Sequence, residues 1–512
     1  MIRRLWLSAK PILALLVALP MACLAQVPIM ATTTSGPVQG LDVNGIDVFR
    51  GIPFAAPPVG ALRWREPQLP EKWTTVRQVT ATGPSCMQTR GVSLENGGDP
   101  GRLDEDCLYL NVFSPRVERT ARLPVMVWIH GGALIFGGGG LPIYDGTALA
   151  RRDVVVVTIN YRLGAFGFFA HPGLDRETPG GPVNFGLLDQ IAALRWVRSN
   201  IEAFGGDPAR VTIAGQSAGA QSVLALMASP LAAGMFSGAI AQSPYGIPSH
   251  SRSKAKETGI ALAVAVGLPG AQASAASLRI ISADRLVERG QKISLAPSFI
   301  VGDQAIPMPF LEAFQKAREH PVPLIIGNNS ADASVVESFG VDPAVLVQKM
   351  GKARIFVRSL YPGVSDQSRL GREVARDALF TAFGRRIAYL HSTKAPTWRY
   401  YFNHVGPNTS TGVLHGGEVP FVLGTLEGCQ CLGRPVTPLD RKVERRTGDR
   451  WAAFIRIHRP AGEVEWPIDD RQRGQVLEIG DEETARPGFM ASRLNAFIAA
   501  LNFAGRRSEK DY

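Results

Sequence analysis

The sequence contains no internal repeat, no low-complexity tract and no long run of one charge sign. Those absences exclude a fibrous or intrinsically disordered chain. Beyond the first 25 residues no stretch is apolar and long enough to read as a membrane-spanning helix. Cysteine is scarce, with five in 512 residues. No ligand cluster accompanies the closely spaced Cys429 and Cys431, which argues against a metal site. There is also no strongly amphipathic lid segment of the kind that opens at a lipid interface.

What is present is a chain with 45% hydrophobic and 19% charged residues, ample for a large core. Arg3, Arg4 and Lys10 precede an apolar stretch from about Pro11 to Leu24, and small residues precede Gln26. This is the pattern of an export signal, with cleavage expected after Ala25 and residues 26–512 forming one domain. Pro20 interrupts the apolar run, which is short for a membrane anchor. Cys23 offers a lesser alternative, a lipidated N-terminus, although Pro20-Met21-Ala22 fits that signal poorly. The expected location is therefore periplasmic or secreted, without stable membrane insertion. Formal net charge is +11. Residues 1–25 carry three positive charges and no acid, so a chain beginning at Gln26 keeps +8. The basic residues are scattered, which reads as a solvated surface rather than a nucleic-acid footprint and only weakly favours anionic substrates. Four cysteines remain after Ala25. An exported chain can oxidise them, with Cys86–Cys107 the preferred pair. Cys429 and Cys431 are left open between a pair, free thiols and a metal.

Apolar runs alternate with helix-period segments. Val125–Ile129, Val154–Ile159 and Val211–Ala214 read as buried strands. Leu187–Phe204 has helical spacing, and a small-residue helix is expected from Ala218. This order predicts an α/β fold, a large mostly parallel sheet with helices on both faces. Residues 244–321 read as a polar, Ala-rich excursion over the sheet. Leu324–Ile326 and Trp398–Asn403 are later strand candidates. A last helix is expected from about Met490 to Asn502, followed by a loose tail from Gly505.

The sharpest local signal is Gly215-Gln216-Ser217-Ala218-Gly219, between a strand and a helix. A nucleophilic serine needs a tight strand-to-helix turn, and bulky flanking residues would strike the neighbouring backbone. His130-Gly131-Gly132-Ala133 follows the strand ending at Ile129. Glycine-rich backbone there can present N–H groups to a developing oxyanion.

These residues, with others, make the sequence resemble the type-B carboxylesterase and cholinesterase-like family of α/β-hydrolases. The resemblance rests on Gly51-Ile52-Pro53-Phe54-Ala55-Ala56-Pro57-Pro58-Val59-Gly60, Leu62-Arg63-Trp64 and Glu105-Asp106-Cys107-Leu108-Tyr109-Leu110-Asn111-Val112. It continues through Asn160-Tyr161-Arg162-Leu163-Gly164, Asp189-Gln190 and Phe204-Gly205-Gly206-Asp207-Pro208. The resemblance implies a disulfide between Cys86 and Cys107, and oxyanion donors on the N–H groups of Gly132, Ala133 and Ala218. Gln216 stands where many members have Glu, which removes a negative charge beside the nucleophile.

The fold orders the triad Ser, acid, His. Of four histidines after Leu324, His391 reads as structural and His404 as a rival. His415, in Gly412-Val413-Leu414-His415-Gly416-Gly417-Glu418-Val419-Pro420-Phe421, resembles the family's catalytic loop and is preferred. The acid is expected at Asp332, where the family commonly has Glu, with Glu337 as runner-up. The alternative role for Asp332 is a helix cap. The implied reaction is hydrolysis of small carboxylic esters through an acyl-enzyme, with no metal or organic cofactor. Two alternatives stand beside it: a non-catalytic binding protein on the same fold, and a hydrolase of amides, carbamates or lipids.

Overall fold

In the computed structural model, the runs of β-branched residues at the centre of the chain form strands buried on both faces. The structure describes residues 28–90, 98–116, 119–292, 298–406, 412–471 and 474–508. The expected export signal and Cys23 lie outside the described residues. The main sheet contains β1 (Pro28–Thr32), β2 (Pro37–Val43), β3 (Ile46–Pro53), β4 (Tyr109–Pro115), β5 (Leu123–Ile129) and β6 (Val155–Ile159). It continues with β7 (Gly206–Gln216), β8 (Gly238–Gln242), β9 (Leu324–Asn329), β10 (Thr397–Phe402), β11 (Val476–Ile479) and β12 (Glu483–Arg486).

Spatial order is β1-β2-β3-β4-β6-β5-β7-β8-β9-β10-β11-β12, with a two-residue strand at Arg77–Gln78 beside β2. From β6 to β11 the neighbours run parallel, while β1 to β4 and the final β11–β12 pair are antiparallel. β4 also meets β6 antiparallel. The expected sheet is therefore present, with an antiparallel N-terminal flank.

The helices used below are α1 (Phe185–Asn200), α2 (Ala218–Ala228), α3 (Arg252–Ala265), α4 (Pro343–Lys349) and α5 (Ala353–Ser359). The chain goes on through α6 (Gln367–Arg376), α7 (Ala382–His391), α8 (Pro438–Ile457) and α9 (Ala491–Ser508). Alternation along β5 divides the core. Val125, Val127 and Ile129 pack with α1 and α2, while Met126 and Trp128 pack with α8 through Trp451 and Phe454. Each such side chain, fully buried, contributes about 1.5–3 kcal/mol by leaving water.

Two expectations need amending. The reading of residues 244–321 as an excursion holds, but the sheet gains a strand just before it, β8. Its Gly-Ala-Ile-Ala-Gln sequence lacks strong strand formers, yet every residue is buried. A central position with neighbours on both edges overrides its weak propensity. The tail expected to be loose from Gly505 is instead helical to Ser508, as the last turn of α9.

Candidate active site

The parallel strands end on one side of the sheet, and the tight turn after β7 puts Ser217 there. Its backbone sits at φ 57° and ψ −122°, an uncommon conformation for a residue with a side chain. The two glycines make the turn possible. A Cβ on Gly219 would lie 2.0 Å from the Ile129 carbonyl oxygen, and one on Gly215 would lie 2.6 Å from Gly219 itself. The Ser217 N–H donates to the Gln242 carbonyl at 2.8 Å, pinning the elbow to β8.

The histidine loop follows β10, which runs parallel to β7 in the same sheet. Val413 N–H donates to the Ser330 hydroxyl and His415 N–H to the Ser334 hydroxyl, at 2.8 and 2.9 Å. The loop is thereby tied to the turn after β9, which carries Asp332. The Ser217 hydroxyl donates to His415 Nε2 across 2.8 Å. His415 Nδ1–H donates to Asp332 Oδ1, also across 2.8 Å. The structure thus brings together Ser217, His415 and Asp332, which lie far apart in the chain.

The rivals lie elsewhere. Glu337 is exposed and pairs with Arg372. His391 is buried against Glu319, and His404 is held between Asp440 and Asp481. Asp332 is fully buried. Its second oxygen accepts from the Asn329 N–H at 2.7 Å and the Ser243 hydroxyl at 2.9 Å. The carboxylate is therefore oriented on both sides, a different role from a helix cap.

Beside the serine, Gly132 and Ala133 take φ values of 101° and 51° in the loop after β5. A Cβ on Gly132 would lie 2.1 Å from the Phe136 carbonyl oxygen, so only glycine fits that position. Ala133 lies in this loop on the cavity wall, and Ala218 opens α2 directly after Ser217. His130 is buried and stacked on Tyr161 with ring centroids 4.4 Å apart. Burial lowers its pKa to about 4, so it stays neutral at ordinary pH.

Two side chains of this site carry no role in the sequence reading. Ser243 directly follows β8, a strand the sequence did not announce. Glu418 falls inside the histidine motif but has no assigned function there. It is fully buried and accepts from Gln242, 3.1 Å away, and from Asn329. Gln242 is itself fixed by the Trp451 indole N–H at 3.0 Å. Burial, and then the nearby Asp332 charge, push the Glu418 carboxyl above its ordinary value.

Gln216 Nε2 approaches His415 Nε2 at 3.2 Å, so the residue that replaces the family's usual Glu touches the imidazole directly. All of this opens into a cavity of about 870 Å³. Cys86 and Cys107 are disulfide-bonded, and Cys429 and Cys431 are joined as well, on the cavity wall. Among the described residues no group of three or more His, Cys, Asp or Glu side chains could hold a metal ion.

Residues 26–361 and 364–497 match the model of the carboxylesterase family. The chain belongs to the carboxylesterase family. A fumonisin B1 esterase of Sphingopyxis macrogoltabida is 34% identical over 93% of this chain and 91% of that protein. A para-nitrobenzyl esterase of Bacillus subtilis (strain 168) is 35% identical over 89% of this chain and 95% of that protein. Among solved structures, a thermophilic PNB esterase superposes with a TM-score of 0.81 at 33% identity, covering 91% of this chain and 99% of that one. This carboxylesterase is a serine hydrolase of carboxylic esters with the α/β-hydrolase fold.

Proposed function

We propose that Ser217 is the nucleophile of this esterase, His415 its general base and Asp332 the orienting acid. The observation that carries this reading is the continuous chain of short hydrogen bonds from Ser217 through His415 to Asp332. His415 takes the hydroxyl proton as Ser217 Oγ bonds to the ester carbonyl carbon. The carbonyl oxygen becomes an oxyanion facing the N–H groups of Gly132, Ala133 and Ala218. Asp332 holds the imidazole in the tautomer that accepts at Nε2, and it stabilises the imidazolium that forms. The proton then passes to the alkoxide, alcohol leaves, and the acyl group stays on Ser217. Water repeats the sequence with His415 as base and releases the acid.

The cavity supports a substrate class. Its described lining includes no Lys, Arg, Asp or Glu and is dominated by side chains such as Phe136, Ile143, Phe299, Phe380 and Leu432. Burying a charged ester there would cost desolvation without a partner. This supports uncharged esters with apolar acyl or alcohol groups, and it outweighs the weak preference for anionic esters drawn from net charge. Fumonisin B1 esterase and para-nitrobenzyl esterase are named for different esters. Export to the periplasm or medium is part of the same proposal, supported by Arg3, Arg4 and Lys10 ahead of the apolar run.

The test is hydrolysis of a p-nitrophenyl ester panel varying in chain length and charge. Ser217→Ala is expected to lose at least about 1,000-fold in kcat, and neutral apolar esters are expected to lead the panel. An unchanged rate in Ser217→Ala excludes Ser217 as nucleophile. A preference for anionic esters overturns the substrate class alone.

A further inference from the structure

The sequence between Asp342 and Asp366 contains no acidic residue and four cations, Lys349, Lys352, Arg354 and Arg358. All four are exposed, and none makes an ion pair with a described residue. That alone would be a solvated surface. The same stretch also turns large apolar side chains outward. Ile355 is 73% and Phe356 59% exposed, side by side on α5 and between Arg354 and Arg358. Only Val357 of this helix is buried.

A short helix anchored by one residue gains nothing in water from presenting Ile and Phe to solvent. Contiguous exposed apolar residues ringed by unpaired cations are the pattern of a surface that meets an amphiphilic layer. The stretch also follows directly from the cavity wall, because Val335, Val336 and the half-exposed Phe339 line the cavity just before α4.

We propose that α4 and α5 form a docking face for an anionic lipid surface, on which the esterase adsorbs without inserting a helix. Charge complementarity selects the occupant. The four cations meet anionic headgroups, while Ile355 and Phe356 enter the headgroup boundary. A polynucleotide would reward the cations and leave the aliphatic Ile355 in water. No helix among the described residues is long and apolar enough to cross a membrane, so the contact is peripheral. Its consequence is local concentration of uncharged esters, which partition into the same layer.

The test uses the full chain with phosphatidylglycerol vesicles, and phosphatidylcholine vesicles as reference. Amide hydrogen exchange over residues 349–359 reports this face directly, whatever the N-terminal apolar run contributes to binding. Exchange there is expected to slow on phosphatidylglycerol, to change little on phosphatidylcholine, and to recover at high salt. Ile355→Ser with Phe356→Ser is expected to weaken vesicle binding at least about tenfold. Lys352→Glu with Arg354→Glu is expected to weaken it by a similar factor or more.

Both variants should keep hydrolysis of a short soluble ester and the thermal midpoint of the parent, which shows that they fold. Unchanged exchange at 349–359 on phosphatidylglycerol overturns the proposal. So does equal slowing on both lipids, or a serine variant that binds as well as the parent. Sedimentation that shows a dimer dissolved by the serine variant, without vesicle binding, assigns the face to a second copy instead.

Discussion

Ser243 and Glu418 approach the Asp332 region from different elements, Ser243 just after β8 and Glu418 from the histidine loop. Ser243 donates a hydrogen bond to the Asp332 carboxylate, which fixes the direction in which its other oxygen faces His415. Ser243→Ala removes one of the bonds holding Asp332 and touches no substrate. We expect kcat to fall about tenfold with KM nearly unchanged, the signature of a positioning residue, measurable by steady-state kinetics.

Glu418 brings a second carboxyl into the same low-dielectric space. Its pKa is raised above the ordinary 4.5 by burial and by Asp332. A raised folded value means that its contribution to stability is fully present below the unfolded value and is lost as pH rises through the folded one. Glu418→Gln removes that dependence. Its melting temperature should gain on the parent as pH climbs from acid to neutral, and thermal scans across that window check the sign.

At the scale of elements, the nucleophile elbow depends on how closely α2 approaches β5. Gly219 permits that approach, since any Cβ there meets the Ile129 carbonyl. Gly219→Ala must push α2 away from the strand and shift Ser217 relative to His415. A cost of about 1–3 kcal/mol in stability and about 100-fold in kcat is expected, read by denaturant unfolding and by ester hydrolysis. Several residues of the family motifs have structural rather than chemical work. Arg63 and Glu105 form an ion pair with a 2.7 Å contact from the guanidinium Nε, joining the two motifs that contain them. Asp189, fully buried in α1, receives Arg162 through contacts of 2.8 and 2.7 Å. Such pairs explain why those motif positions could be recognised in the sequence without revealing what they touch.

For the whole molecule, the surface is strongly basic while the described cavity lining is uncharged. The two should separate in salt. Turnover of neutral soluble esters should change less than about twofold between low and high ionic strength, because no charge in the described cavity lining steers or binds them. A large salt effect on a neutral ester would point to a charged pocket wall. Stopped assays at two ionic strengths suffice.

Sequence by itself determined the alternation of buried strands and amphipathic helices, the elbow around Ser217, the histidine loop and the Cys86–Cys107 pairing. Those features are local, or rest on motifs whose residue types are constrained by backbone space. Tertiary structure alone decided that β8 is a strand despite its alanines, and that Ser243 and Glu418 surround the acid the sequence expected at Asp332. It also decided that the described lining of the cavity carries no Lys, Arg, Asp or Glu in a chain of net positive charge. These depend on which segments meet across the sheet, and chain order carries no distance until the strands have paired and the helices have packed upon them.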